Sequence, residues 1–155
     1  MAEKREALFS ALALSRTEIE ARGIENAIWL MWLEAPGAEA QRLLDQAMER
    51  RALQDYAGAI EVLDELIALA PDYAEGWNQR ATLRYLRDEF DSSLDDIQRV
   101  LALEPKHFGA LAGQAIILMR QGRVRLGQDV LRRALEIDPW LRERGLLLPV
   151  PGTDI

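Results

Sequence analysis

The chain has 155 residues, of which 49% are hydrophobic and 29% charged, a balance that supports a buried core and excludes a disordered chain. It has no cysteine, which excludes a disulfide framework and a thiolate metal centre. The formal net charge of −7 argues against general affinity for nucleic acid, because phosphate binding needs a basic face.

From the N-terminus, apolar residues fall on helical stripes at Leu8 and Leu12, then at Ile24, Ile28 and Met31. The spacing predicts helices near 3–13 and 16–34, with Ser15 and Glu18 as a capping box opening the second. The run from Ala7 to Leu14 faintly resembles the middle of a signal peptide, but Glu3 and Glu6 interrupt its charged start, so it reads as part of the fold. No apolar run reaches the ~18 residues of a membrane span, and no membrane insertion is expected. The compartment stays open: cytoplasmic as the sequence stands, periplasmic if a leader was removed. Trp29 and Trp32 share one helical face and are expected to bury against the first full repeat, with a surface anchor for a partner as the alternative.

Residues 1–36 form an irregular helix pair, and a repeat follows. Pro71, Pro105 and Pro139 lie 34 residues apart and close units 40–73, 74–107 and 108–141. Large residues recur at position four (Leu43, Trp77, Leu111) and position twenty-four (Leu63, Ile97, Leu131). Small ones recur at position eight (Ala47, Ala81, Ala115) and position twenty (Ala59, Ser93, Gly127), where two helices must approach closely. Tyr56, Phe90 and Val124 start each second helix. Each proline cannot continue the helix behind it but fits the first turn of the next. Arg80 faces the second helix of its own unit, and an ion pair with Asp96 is expected. After Pro139, residues 140–145 can form a short capping helix at most. The apolar tail Leu146–Val150 should dock either on the open end of the last repeat or in a concave groove of the same or a neighbouring molecule.

The phased positions resemble the tetratricopeptide repeat (TPR) family over three full units, about two thirds of the chain, in the manner of short bacterial TPR proteins. Gln46, Arg80 and Gln114 depart from the family's usual leucine, and Arg50 and Arg84 from its usual tyrosine. The resemblance implies an all-α, right-handed solenoid of helix-turn-helix repeats forming a single domain over 1–155. It also implies a non-enzymatic scaffold or adaptor that holds a peptide or helix of a protein partner in the groove lined by its first helices. The alternative is self-assembly through the tail, and the oligomeric state expected is a monomer or a weak homo-oligomer.

Transferred onto this chain, the groove positions give Leu44, Met48 and Arg51 from the first unit. They give Asn78, Thr82, Tyr85 and Leu86 from the second, and Ala112, Ile116, Met119 and Arg120 from the third. Gln41, Ala52, Glu75 and Gly109 fall on the same face. Leu44, Met48 and Gly113 replace the polar and basic groups of the family's carboxylate clamp, so an amphipathic helix or an apolar extended segment suits this groove better. Catalysis is not expected, and neither is a cofactor or a metal. The single histidine, His107, sits in a turn where solvation or a local hydrogen bond is the ordinary outcome. Asp91, Asp95 and Asp96 read as the exposed start of a helix.

Overall fold

The computed structural model describes residues 2–149. Its helices are α1 (Ala2–Ala13), α2 (Glu18–Trp32), α3 (Ala38–Ala52), α4 (Tyr56–Leu69), α5 (Ala74–Leu86), α6 (Phe90–Leu103), α7 (Phe108–Arg120) and α8 (Val124–Ile137), followed by a 3₁₀ turn, Arg142–Leu146. No strand occurs among the described residues, and the three 34-residue units are the pairs α3–α4, α5–α6 and α7–α8. The described residues divide into a central unit, residues 29–110, and a terminal unit, residues 2–28 with 111–149. The helices α2 and α7 contribute to both.

The turn inside each repeat has one design. The residue at position fifteen is left-handed: Gln54 at φ 62°, Asp88 at φ 59° and Gly122 at φ 81°. The residue after it donates back across the helix end, from Asp55 N to Arg50 O, Glu89 N to Arg84 O and Arg123 N to Leu118 O. That six-residue closure satisfies carbonyls the helix would otherwise leave open. At the end of α1 and the start of α2 the expected capping box is displaced. Ser15 Oγ donates to Leu12 O and closes α1, while Thr17 Oγ1 accepts from Glu20 N, and Glu20 reaches back to Arg16 N. The cap is therefore Thr17 with Glu20, two residues beyond the expected pair.

The central unit buries Leu43, Leu44 and Ala47 of α3 against Leu63 and Leu66 of α4 and Leu83 of α5. Each fully buried leucine contributes about 1.5–3 kcal/mol. The small positions act as the sequence implies. Ser93 Oγ donates to Ala81 O at 2.7 Å, a distance only a short side chain permits. In the terminal unit, a Cβ on Gly127 would lie 2.8 Å from Ala115 O.

The expected ion pair is present and is bidentate: Arg80 Nη2 and Nε meet Asp96 at 2.8 and 3.1 Å. Asp96 is buried, against the expectation of an exposed acidic face. It also accepts from Arg84 at 3.0 Å. Its hydrogen bonds, with those of Asp64, raise the Arg80 pKa against the opposing effect of burial. Arg80 and Arg84, which replace a family leucine and tyrosine, thus neutralise a carboxylate inside the repeat.

Candidate functional site: the first-helix face

Position two of each repeat, near the start of its first helix, holds Gln41, Glu75 and Gly109. In the central unit all three receive the end of α2 or the residues just after it. Gln41 accepts from Ala35 N at 2.9 Å and donates to Leu33 O. Glu75 anchors His107, and the Trp32 ring stacks on that imidazole at 4.0 Å with an interplanar angle of 10°. Gly109 leaves room for Trp29, whose ring would lie 2.8 Å from any Cβ there. Tyr73, at the start of α5, donates its hydroxyl to Trp32 O at 2.6 Å. Burial, then Glu75 and other nearby carboxylates, pushes its pKa up.

His107 is buried rather than solvated and performs two tasks. Its Nδ1 accepts from Ala110 N at 3.0 Å and caps α7. Nδ1 therefore carries no proton, and the proton sits on Nε2, which donates to Glu75 Oε1 at 3.0 Å. The hydrogen-bond pattern assigns a neutral imidazole held by a carboxylate. Glu75 also accepts from the side-chain amides of Asn78 and Gln79, the latter at 2.6 Å, and Gln79 accepts from Arg51 at 3.4 Å. This network ties α3, α5 and the start of α7 beneath the tryptophans.

The tryptophan rings meet the residues that open α7, where Phe108 also approaches both at 5.0 and 6.0 Å, and Trp32 is tied to the end of the first repeat through Tyr73. The sequence placed Glu75 and Gly109 on the groove face. The signal missed was the pairing of a small residue and a carboxylate at position two with two aromatics three residues apart on α2.

The expected groove residues separate by depth. In the central unit Leu44 and Asn78 are buried, the latter within the Glu75 network, so they are not presented to a partner in this state. Arg51 is engaged with Gln79, and Thr82 donates to Asn78 O at 3.0 Å. Tyr85 is half-buried against Phe90, while Met48 and Leu86 are exposed. In the terminal unit Ala112 is buried, Ile116 and Met119 are half-buried and Arg120 is exposed. The pattern is simple: positions two and five are covered, and positions nine, twelve and thirteen retain exposure.

The described part of the C-terminal tail is held by α8. Gln128 of α8 donates to Leu146 O at 2.9 Å and accepts from Leu148 N at 2.7 Å, so the described part of the tail runs along a second helix at the last repeat. Leu146, Leu147 and Leu148 stay exposed, contrary to the expectation that docking would hide them. A cavity of about 830 Å³ borders Leu148, Pro149, Val124 and Gln128. Val150 and the residues after it lie outside the described part.

The terminal unit holds a second buried polar cluster. Asp138, at the end of α8, accepts from Trp140 N at 3.0 Å, and Trp140 Nε1 donates to Ser15 O at 3.1 Å. Arg22 of α2 donates to Trp140 O at 2.9 Å and pairs with Glu25 at 2.8 Å. Burial, then hydrogen bonding to and repulsion by Glu25, pushes Asp138 up to about 7. No group of three or more potential metal ligands occurs among the described residues, and no described helix is long and apolar enough to cross a membrane.

No family model matches the sequence. The chain is 39% identical over 137 residues, 88% of its length and 67% of the other's, to a TPR repeat-containing protein of Rhizobium etli. It is 36% identical over 70 residues to a tetratricopeptide repeat protein 36 homolog of Nematostella vectensis, spanning 45% of this chain and 38% of that one. Solved structures share the fold. The Sgt2 TPR domain from Aspergillus fumigatus matches with a TM-score of 0.58 and 17% identity, over 78% of this chain and 91% of that one. A MamA variant matches with a TM-score of 0.59 and 13% identity, over 86% and 94%. With its phased repeats, its all-helical pairs and a relative of this identity along most of its length, the chain belongs to the tetratricopeptide repeat family.

Proposed function

We propose that this chain is a non-enzymatic protein-interaction scaffold whose first-helix face takes an amphipathic helix with aromatic side chains. Scaffolding in general is the business of the TPR fold to which the chain belongs. The observation that carries the finer reading is the seat of Trp29 and Trp32. A helix with two aromatics three residues apart already rests there, over a buried carboxylate–histidine pair. The chain's own α2 is thus an internal occupant, and a partner helix of similar character would compete with it. The exposed remainder of the face offers Met48 and Leu86, with Tyr85 beside them, all apolar and adaptable. An acidic chain with this lining suits a protein partner and not nucleic acid.

The test is recovery of partners from the native source by the full chain and by a Tyr85→Ala, Met48→Ala double variant of unchanged helicity. The expected result is loss of a specific partner by the variant. Equal recovery by both would remove this face from the function.

A further inference from the structure

We propose that Glu25 and Asp138 share a single proton, and that this carboxyl pair is a latch holding α2 to the end of α8 whose strength depends on pH. Asp138 is fully buried, and one of its oxygens, Oδ1, takes the backbone proton of Trp140. The other, Oδ2, has no donor among the described groups, although it too is buried. Glu25 stands at the same junction, since Arg22 binds both its carboxylate and the Trp140 carbonyl, and the two carboxyls are close enough to interact. Two ionised carboxylates at that range would repel, with an acceptor facing an acceptor in a dry site. One proton between them removes both costs.

The surrounding charges agree. Arg22 of α2 bonds Glu25 and also the backbone of Trp140, so the guanidinium spans the same junction from α2 to the segment after α8. One arginine, two carboxyls and one proton make a neutral cluster, the state that burial favours. The remaining charged neighbours lie further out. Glu18 of α2 binds Arg22 at 3.0 Å, and Arg144 of the 3₁₀ turn approaches Glu18 at 3.6 Å. From the α1–α2 turn the Ser15 carbonyl accepts from Trp140.

Loss of the shared proton leaves two negative charges facing one arginine and weakens the hold on α2. The latch lies wholly within the terminal unit and goes beyond the functional reading. An acidic medium keeps α2 in place, and a neutral to alkaline one loosens it.

Hydrogen exchange on the full chain, corrected for intrinsic rates and followed in peptides from residues 2–28 between pH 5 and pH 8, tests the latch. The expected result is a loss of protection on the order of tenfold or more across that range in the wild type. In Asp138→Asn the amide permanently supplies the missing donor to Glu25, and in Glu25→Gln it supplies the same bond from the other side. Either variant is expected to give a flat profile, so one that fails to fold leaves the other to decide. A flat wild-type profile, or a slope that both amide variants retain, would overturn the proposal. Partner recovery is no part of this readout, so its failure leaves the functional reading standing, and loss of that reading leaves the latch.

Discussion

The central and terminal units meet the same two structural problems with different residues. Each must bury a carboxylate, and each must turn its chain through a left-handed position inside a repeat. In the central unit Glu75 is buried and fully served, with donors from His107, Asn78 and Gln79. In the terminal unit Asp138 is equally buried but lacks a donor for one oxygen. The turn is reversed in quality: the central unit forces Gln54 and Asp88 into the left-handed region, and the terminal unit uses Gly122 there. A satisfied charge fixes a structure over a wide pH range, whereas an unsatisfied one makes it conditional.

Removing Glu75 is expected to do the most damage. Glu75→Ala strands the buried donors of His107, Gln79 and Asn78 together and opens a void below Trp32. Breaking a buried, hydrogen-bonded charge in this way costs about 3–5 kcal/mol. Urea denaturation at constant slope measures it, and a loss below about 1 kcal/mol would mean that water serves those groups instead.

The terminal carboxylate gives a smaller and conditional effect. Asp138 is raised in the fold to about 7, from an ordinary value of 3.8. A carboxyl raised by folding stabilises fully below its unfolded value and loses that contribution as pH climbs to the folded value. Stability should therefore fall from about pH 4 to about pH 7 and level off above, with about 4 kcal/mol as the ceiling for a rise of that size. Asp138→Asn should be flat over this window and, at pH 8, more stable than the wild type. Melting curves on both proteins across the range decide it.

Gln128→Ala should cost about 1 kcal/mol, since it removes two hydrogen bonds to a tail whose leucines are already exposed. Its sharper readout is faster proteolysis after Leu146, with the helices unaffected.

The repeat was legible because its signals are local. The prolines 34 residues apart, the small residues at positions eight and twenty and the Arg80–Asp96 pair all stem from spacing within one unit. The site was legible only in outline. Gln41, Glu75 and Gly109 could be placed on the groove face, but their cover comes from α2, and His107, which Glu75 holds, lies 32 residues along the chain. A histidine in a turn carries no local mark of burial. The displaced cap at Thr17 shows the same limit on a small scale, because Ser15 also fits the pattern, and the geometry of the α1 end decides between them. The acid pair was hidden for a related reason: Glu25 and Asp138 are 113 positions apart, and each alone looks like an ordinary surface carboxylate.

The left-handed turns provide the smallest test of the contrast between units. A side chain at a left-handed position costs about 1 kcal/mol relative to glycine, which has no Cβ to meet the following carbonyl. Asp88 at φ 59° and Gln54 at φ 62° carry that cost, and Gly122 at φ 81° does not. Glycine also loses more backbone freedom on folding, so the net gain from replacement is smaller than the strain relieved. Asp88→Gly and Gln54→Gly are each expected to gain about 0.5 kcal/mol, and Gly122→Ala to lose about 1 kcal/mol. Because the backbone closure across all three turns is the same, a difference in sign between the units isolates the side chain. If all three substitutions were destabilising, then Asp88 and Gln54 would have to hold their turns by side-chain contacts that outweigh the strain.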